Sequence, residues 1–285
     1  MAMKIIDGKN IAEQIADSLA QDIVKLKTSG IIPKLAIVTC RPDERSEVYI
    51  RLKQKRAEQI GVAVELHDWS DNMQDDCLRL MRELAERADV HGIIVQLPLS
   101  GWYDPQMLLD LIPIHKDVDG LSQASLQALR DNQPVLIPAT PLAILTLLEQ
   151  TDIDLPGKKI VLVGHGKMVG MPLSIILRNK QLDVEVCDIT TEDLAKITSR
   201  ADVLISAAGQ PGLIKTDHVK TGAVVLDVGI VEINGKLTGD VDYKSVGDKP
   251  SRLAKVPGGV GPVTVVSLLQ NVVAAAKILS NHQSA

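Results

Sequence analysis

The sequence contains no phenylalanine and few aromatic residues of any kind. Aromatic residues make up 2% of the 285 residues, whereas hydrophobic residues make up 45%. A core of this composition has to be built from valine, isoleucine, leucine and alanine, which suits parallel sheets that are buried on both faces. Because the chain also exceeds the length at which one core usually stops growing, we expect two domains.

Cationic surface and long apolar runs are also scarce. The formal net charge is -5, and no dense stripe of lysine and arginine is present, which argues against a nucleic-acid partner. We find neither the apolar run of a signal peptide nor a stretch that approaches the roughly 18 apolar residues of a membrane span. These shortages predict a cytoplasmic protein without a membrane partner.

The three cysteines, Cys40, Cys77 and Cys187, are widely spaced and include no Cys-x-x-Cys pair. This pattern indicates neither a disulfide framework nor a zinc site, and we assign no metal ligands. Buried, reduced thiols are the better interpretation.

Strand patterns and helix patterns alternate in two series, which is typical of parallel sheets with crossover helices. The strands of the first series are predicted at 35–38, 62–66 and 92–95, with helices from Asn10, over 44–60 and up to Ala88. The strands of the second series are predicted at 160–163, 184–187, 203–206 and 223–227, with helices from about Met168 and from Thr191.

A proline-bearing stretch, followed by an apolar helical run over 142–148, separates the two series as a rigid connector. The last apolar segment, 262–279, has helical spacing and is expected to pack back on the first domain. We therefore predict an α/β protein with an N-terminal βαβ domain of residues 1–139 plus 265–285. A Rossmann-type dinucleotide-binding domain is predicted over 140–264, with a cleft between the two.

A glycine-rich turn follows the predicted strand at 160–163. Gly164, Gly166 and Gly170 form G-x-G-x-x-x-G, one residue longer than the usual dinucleotide fingerprint. Small residues let a pyrophosphate approach the N-terminus of the next helix, although such turns also serve packing alone. Asp188 follows the next strand, where an acid can bind a ribose 2′-hydroxyl.

Tyr49 and Lys53 lie at i, i+4 on one helix face, with Ser46 one turn earlier. A lysine near a hydroxyl in a pocket of low dielectric has a lowered pKa and can act as a general acid or base. The alternative is a solvated basic helix, because Arg51, Lys55 and Arg56 are neighbours.

Two further motifs lie near the ends of the first series. Gln96 follows a predicted buried strand, at the sheet edge where open α/β sheets bind ligands, and its amide offers a donor and an acceptor. Lys116, Asp117 and Asp119 precede Gly120 in a turn-rich stretch. Both have plain structural alternatives, a loop-bracing glutamine and a turn-forming aspartate.

The segment 256–264 combines three glycines with two prolines. Glycine lets the backbone approach a flat ligand closely, and proline limits the conformations of the loop. A plain linker seldom needs both, so the segment indicates a binding function.

Seven blocks in register resemble the bifunctional methylenetetrahydrofolate dehydrogenase/cyclohydrolase family. The resemblance spans nearly the whole chain, and its blocks are Ser46-x-x-Tyr49-x-x-x-Lys53, 95–99, 116–120, Pro138-x-Thr140-Pro141, the turn at Gly164, 239–242 and 257–262. It implies oxidation of 5,10-methylenetetrahydrofolate by a nicotinamide dinucleotide, then hydrolysis of the methenyl product to 10-formyltetrahydrofolate. It also implies a homodimer in one-carbon metabolism and purine biosynthesis.

The resemblance also implies roles for single residues. Lys53 is the key catalytic residue, with Tyr49 and Gln96 positioning it and the folate, and Asp119 holds the pterin ring. The folate side is completed by Pro257, Gly258 and Gly259. The implied dinucleotide-binding residues are Gly164, His165, Gly166, Val169, Gly170, Asp188 and Ile230.

The chain departs from the family pattern where the cofactor is expected. Family members commonly have Arg-Ser where this chain has His165-Gly166, and His-Ser where it has Asp188-Ile189. Arginine and serine suit the 2′-phosphate of NADP, whereas a carboxylate repels it. NADP(H) is the family default, and NAD(H) is the alternative that these residues favour. Ser125 and Ala139 also replace a usual Asn and Cys.

Two other functions compete with this interpretation. Tyr49-x-x-x-Lys53 also occurs in short-chain dehydrogenases, but there the glycine motif precedes the tyrosine, whereas here it follows by more than about 100 residues. The departures listed above are also compatible with a regulatory paralogue that binds folate or nucleotide without turnover.

Overall fold

The structure is a computed structural model that describes residues 3–68, 74–99 and 104–283. The chain forms two compact units. The six-stranded unit comprises residues 1–12 and 140–264, and the three-stranded unit comprises residues 13–139 and 265–285.

Strands and helices alternate along most of the chain. In order they are β1 (Lys4–Ile5), α1 (Gly8–Thr28), β2 (Lys34–Thr39), α2 (Glu44–Ile60), β3 (Ala63–Asp68), α3 (Gln74–Glu86), β4 (Gly92–Val95), α4 (Pro105–Leu109), α5 (Gln123–Arg130), α6 (Ala139–Glu149), β5 (Lys159–Val163), α7 (Gly170–Asn179), β6 (Asp183–Cys187), α8 (Leu194–Thr198), β7 (Val203–Ser206), β8 (Val224–Asp227), β9 (Val231–Ile233), β10 (Lys236–Thr238), α9 (Tyr243–Val246), β11 (Arg252–Ala254) and α10 (Val260–Gln283).

The three-stranded unit contains a parallel sheet in the order β3-β2-β4. The central strand β2 and its neighbour β4 are buried, and the core beside them includes Met81, Leu84 and Leu108. The C-terminal helix α10 belongs to this unit from Val265 onward. Asn271 on α10 donates from Nδ2 to the carbonyls of Val118 and Ile137, at 2.8 and 2.7 Å, so the predicted return of the last segment to the first domain is confirmed.

The six-stranded unit contains a parallel sheet in the order β1-β11-β8-β7-β5-β6. The chain leaves β5 toward β6 on one side and then continues at β7 on the other side. Strand order therefore reverses at β5, and open α/β sheets bind ligands at the carboxyl ends of the strands beside such a point. A separate antiparallel hairpin is formed by β9 and β10.

All seven predicted strands are confirmed, within one or two residues at their ends. The helix predicted from Met168 begins at Gly170, and the one predicted from Thr191 has only five residues, Leu194–Thr198. Part of the charged helix predicted up to Ala88 falls at 69–73, outside the described residues. The three cysteines are buried and free, which confirms the predicted thiols.

Two sequence-based expectations need correction. Residues 1–12 were assigned to the first domain, but they lie in the six-stranded unit because β1 pairs with β11, Lys4 opposite Arg252. The expectation that no stretch approaches the length of a membrane span is also wrong. By length and composition alone, Val260–Ser280 of α10 is long and apolar enough to cross a membrane. However, 56% of its most apolar stretch is buried within the protein, as in the core helix of a soluble protein.

Candidate active site

Lys53 and Gln96 meet at one edge of the three-stranded sheet. Asp43 caps the N-terminus of α2 by accepting from the backbone N–H of Ser46 at 2.7 Å, and this sets the helix that carries Tyr49 and Lys53. Lys53 Nζ donates to Gln96 Oε1 at 2.9 Å, and Gln96 Nε2 donates to the carbonyl of Leu97 at 3.0 Å. Gln96 therefore presents its oxygen to Lys53 and is held in that orientation.

Asp119 interacts electrostatically with Lys53, and both side chains are half-buried. Burial lowers the pKa of Lys53, and the charge of Asp119 partly opposes that change. Burial also raises the pKa of Asp119, against the effect of Lys53 and with that of Asp117. The two shifts bring the pKa values of the base and the acid closer together.

The stretch 116–120 holds Asp119 in place through its two other charged residues. Buried Lys116 donates from Nζ to the carbonyls of Ala85 and Arg87, at 2.8 and 2.7 Å, and so binds the end of α3. Buried Asp117 accepts from the backbone N–H groups of Gly120 and Ser122, both at 2.9 Å. These contacts fix the turn on both sides of Asp119.

Gly164 and Gly170 of the glycine turn leave no room for a side chain. A Cβ on Gly170 would lie 1.9 Å from the carbonyl oxygen of Gly164, and one on Gly164 would lie 2.4 Å from that of Ala207. Gly164 also has a φ of 96°. At the N-terminus of α7, Val169 provides no side-chain cap. The turn thus leaves a helix N-terminus suited to a phosphate group.

A cavity of about 570 Å³ adjoins this turn. It is lined by residues that follow β5, β6 and β7 together with two from the next segments, namely Val163, Gly164, His165, Gly166, Asp188, Ile189, Thr191, Leu194, Ala207, Ala208, Gln210 and Leu213. Because these residues follow adjacent parallel strands, the cavity lies at the carboxyl ends of the sheet, beside the reversal of strand order.

Asp188 is exposed at the cavity and is held by its own loop. Its Oδ1 accepts from the backbone N–H of Thr190 at 2.9 Å and from the Thr190 hydroxyl at 2.7 Å. These hydrogen bonds hold the pKa of Asp188 below its usual value, with a smaller effect from His165. Asp188 is therefore a fixed negative charge at the rim of the cavity.

The loop that contains Pro257, Gly258 and Gly259 is tightly held within the six-stranded unit. The backbone N–H of Gly259 donates to the carbonyl of Lys255 at 2.7 Å, and Gly258 has a φ of 102°, which favours glycine. A Cβ on Gly8 would lie 1.8 Å from the carbonyl oxygen of Gly259. The loop is thus a defined turn that packs against the N-terminus of α1.

The structure gathers most of the predicted residues into two groups. Lys53, Gln96 and Asp119 form one group in the three-stranded unit, with half-buried Tyr49 one turn before Lys53. Gly164, His165, Gly166 and Asp188 surround the cavity, whereas Val169, Gly170 and Ile230 are not among its lining residues.

The residues that replace the family's usual Asn and Cys have ordinary structural contacts. Ser125 receives a hydrogen bond from the Ser122 hydroxyl, 3.1 Å between the oxygens, at the start of α5. Ala139 is buried at the first position of α6.

Sequence reasoning missed a buried polar cluster behind the cavity. Ser206, Asp227 and Asp240 are each fully buried. The Ser206 hydroxyl donates to the Asp240 carboxylate, and the backbone N–H of Asp240 donates to the Asp227 carboxylate. The block Gly239-Asp240-Val241-Asp242 was the available signal, because an aspartate beside a glycine that follows a short hairpin has structural uses beyond a turn.

Comparison with known proteins identifies the family. Residues 6–119 match the model of the tetrahydrofolate dehydrogenase/cyclohydrolase catalytic domain, and residues 138–280 match the NAD(P)-binding domain of the same family. The chain belongs to the tetrahydrofolate dehydrogenase/cyclohydrolase family. Both the predicted family and the predicted two-domain α/β class are thereby confirmed.

Individual relatives agree with this family along the whole chain. The bifunctional protein FolD of Nautilia profundicola is 38% identical, over 96% of this chain and 98% of its own length. The solved dehydrogenase/cyclohydrolase of Campylobacter jejuni is also 38% identical, with a TM-score of 0.94 over 97% of this chain and 99% of that one. The Trypanosoma brucei enzyme, solved with NADP and an inhibitor, is 33% identical with a TM-score of 0.92 over 98% of both chains.

These matches confirm the predicted activity. The protein is a bifunctional methylenetetrahydrofolate dehydrogenase and cyclohydrolase of folate one-carbon metabolism, and its cofactor is of the NAD(P) class. The short-chain dehydrogenase interpretation is thereby excluded.

Proposed function

We propose that Lys53, Gln96 and Asp119 form the catalytic centre for both reactions of this dehydrogenase/cyclohydrolase. The observation that carries the proposal is the 2.9 Å hydrogen bond from Lys53 Nζ to Gln96 Oε1, made by a lysine whose pKa burial lowers. Such a lysine polarises a water molecule for attack on the methenyl carbon, which carries iminium-like positive charge.

Asp119 has the complementary role of binding the substrate. A carboxylate accepts hydrogen bonds from adjacent N–H donors, and the pterin ring offers such donors on one edge. In this proposal Tyr49 adds a hydroxyl one turn from Lys53, and the family resemblance also assigns Pro257, Gly258 and Gly259 to folate binding. The three-stranded unit is then the folate-binding catalytic domain, and the six-stranded unit binds the dinucleotide.

Substitution of Lys53 tests the catalytic assignment. We expect Lys53→Met to slow the decay of added methenyltetrahydrofolate by at least about 10²-fold, the contribution of a positioned acid or base. Lys55→Met is the matched control, because Lys55 is exposed on the same helix and should leave the decay unchanged. Unchanged decay in Lys53→Met would remove this lysine from the mechanism, and a regulatory paralogue would show no turnover in either form.

We further propose that NAD(H) is the preferred cofactor. The ribose end of the predicted dinucleotide site has a charged aspartate, Asp188, and the residues that line the described cavity include no lysine or arginine. A 2′-phosphate would meet this negative charge with no lysine or arginine in the lining to balance it, whereas a 2′-hydroxyl can donate to the carboxylate. The pyrophosphate then lies at the N-terminus of α7.

Dehydrogenase kinetics with both cofactors test this preference. Purified protein with methylenetetrahydrofolate should produce methenyl absorbance in acid-quenched samples, with a kcat/KM at least about tenfold higher for NAD than for NADP. Asp188→Ser should narrow or invert that ratio. Glu185→Gln is the control, since Glu185 lies on β6, which ends just before Asp188, pairs with Lys159 and is outside the cavity lining. A native preference for NADP would refute the proposal.

The cellular context is also a proposal. The family resemblance supports a cytoplasmic homodimer that supplies formyl groups for purine biosynthesis. Sedimentation of the purified protein would test the dimer, and a mass equal to one chain at assay concentration would refute it.

A further inference from the structure

Two carboxylates that do not belong to the Lys53 centre are fully buried in the six-stranded unit. Asp227 ends β8, and Asp240 lies in the segment Gly239–Tyr243, which follows the β9–β10 hairpin. Among the described residues, each carboxylate accepts hydrogen bonds from backbone N–H groups and a hydroxyl, which are neutral donors. Their positions indicate that the two carboxylates hold loops of the proposed binding sites in place.

Asp240 holds the loop that forms one wall of the dinucleotide cavity. Its Oδ2 accepts from the Ser206 hydroxyl and the backbone N–H of Ala208, both at 2.7 Å. Its Oδ1 accepts from the backbone N–H of Gln210 at 2.8 Å. Ala208 and Gln210 both line the cavity, so the conformation of this wall depends on Asp240.

Tyr243 connects Asp227 to the glycine-rich loop. The Tyr243 hydroxyl donates to Asp227 Oδ2 at 2.6 Å and accepts from the backbone N–H of Val256 at 2.7 Å. Val256 immediately precedes Pro257. The hydroxyl joins Asp227 to the backbone of Val256, so its removal takes away the hydrogen bond of the Val256 N–H and leaves the Asp227 side chain unchanged.

The segment fits in one register because two glycines make room for the two carboxylates. A Cβ on Gly239 would lie 2.0 Å from Asp227 Oδ2, and a Cβ on Gly229 would lie 2.0 Å from Asp240 Oδ1. The backbone N–H groups of Asp240 and Val241 also donate to Asp227, at 2.8 and 3.0 Å. The two carboxylates therefore lock the segment to the ends of β7 and β8.

We propose that Gly239–Tyr243 is a positioning segment that sets two binding loops separately: Asp240 orients the dinucleotide loop 206–210, and Tyr243, anchored on Asp227, orients the folate loop 256–259. None of these residues touches the reacting atoms in this scheme. The folate part of the inference depends on the proposed role of Pro257, Gly258 and Gly259.

Steady-state kinetics of two conservative variants test the separation. Tyr243→Phe should raise KM for methylenetetrahydrofolate roughly fivefold to tenfold, the effect of one lost hydrogen bond, with KM for the dinucleotide within about twofold. Asp240→Asn places an amide against N–H donors. It should raise KM for the dinucleotide by a similar factor and leave KM for methylenetetrahydrofolate within about twofold. Because KM does not depend on the active fraction, the comparison remains valid if either variant folds in lower yield.

A matched control separates positioning from loss of stability. Thr151→Val removes one buried hydroxyl of the six-stranded unit, which donates to the carbonyl of Leu148 in α6, and neither residue lines the cavity or lies in either loop. It should lower the thermal midpoint by a similar amount with both KM values unchanged. Equal changes of both KM values in Tyr243→Phe and Asp240→Asn, or no change in either, would overturn the inference.

Gly258→Ala distinguishes failure of this inference from failure of the folate assignment. Alanine is strained at the φ of 102° and should distort the loop itself. A raised folate KM in Gly258→Ala but not in Tyr243→Phe would reject Tyr243 as the positioning residue and keep the loop in the folate site. An unchanged folate KM in both would reject the assignment of the loop.

Discussion

The two units treat their buried and half-buried carboxylates differently. In the three-stranded unit, Asp119 interacts with a cation, Lys53, and burial shifts the pKa values of both groups toward each other. In the six-stranded unit, Asp227 and Asp240 accept from backbone and hydroxyl donors. Under the proposed function, the carboxylate beside Lys53 serves chemistry, whereas the carboxylates surrounded by neutral donors serve architecture.

The largest expected effect is the loss of activity when Asp119 is substituted. We expect Asp119→Asn to lower kcat/KM for methylenetetrahydrofolate by about 10²-fold or more, because a charge contact to the substrate is lost. The charge of Asp119 raises the pKa of Lys53, so its removal should move the pKa in the pH profile of methenyl hydrolysis downward.

Thermal unfolding provides the control for Asp119→Asn. Its midpoint should stay equal to or above that of the native protein, since the cost of burying a carboxylate is removed. Loss of activity that tracks loss of folded protein would show that Asp119 is structural and would break the comparison.

The next effect is the pH dependence of stability contributed by Asp227. Burial raises the pKa of Asp227 from 3.8 to about 6, although the Tyr243 hydroxyl and two backbone N–H groups oppose that shift. The folded protein keeps this proton up to about pH 6, and the unfolded chain releases it near its ordinary value. The stabilisation is thus fully present below about pH 3.8 and is lost as the pH rises through about 6, a total of roughly 3 kcal/mol.

Urea unfolding between about pH 4 and pH 7 measures this dependence. Asp227→Asn cannot titrate and should show a flatter pH profile by that amount, even if it is less stable at every pH. Parallel profiles for the two proteins would contradict the assignment.

A smaller effect is expected at Asp117, a buried carboxylate that accepts only backbone N–H donors in the three-stranded unit. Asp117→Asn should lower the free energy of unfolding by about 1–3 kcal/mol, because an amide donor faces the N–H groups. The kcat of the folded protein should change by less than about threefold. A selective loss of kcat with native stability would show that, in the three-stranded unit, a carboxylate surrounded by neutral donors can also serve chemistry.

The smallest effect concerns an exposed ion pair. Arg56 binds Glu13 through two hydrogen bonds, at 2.7 and 2.6 Å, but the Glu13 side chain is 59% exposed. We expect Glu13→Gln to leave the urea midpoint of unfolding nearly unchanged, with any difference smaller still at high salt. A clear fall of the midpoint that persists at high salt would show that charge pairs contribute to stability here more than exposed pairs usually do.

The regular alternation of strands and helices was predictable because each of these elements has its own apolar pattern in the local sequence. Strands β5 and β7 each contain an unbroken apolar run, Ile160–Val163 and Val203–Ile205, and their buried faces require that composition. The two-residue strand β1 was not predictable, since it is too short for any periodicity. Its pairing with β11 depends on a contact between residues 4 and 252.

The site was predictable where a motif carries its own chemistry. Lys53, Gln96 and Asp119 were proposed as a group from the family resemblance, and the structure brings them together. The roles of Asp227, Asp240 and Tyr243 were not foreseen, because their partners lie 13 to 34 residues away in the sequence. The block Gly239-Asp240-Val241-Asp242 marks the place of Asp240 but does not show which residues it binds.

The pairing of β1 with β11 also bears on how the protein is made. On the ribosome the first strand of the six-stranded sheet emerges long before its neighbour, and the core of the three-stranded unit waits for α10 at the other end of the chain. Neither half is complete when expressed from a gene cut near residue 140: one half would lack α10, and the other would leave β11 as an unprotected sheet edge. The two units should therefore be expressed and engineered together, as one chain.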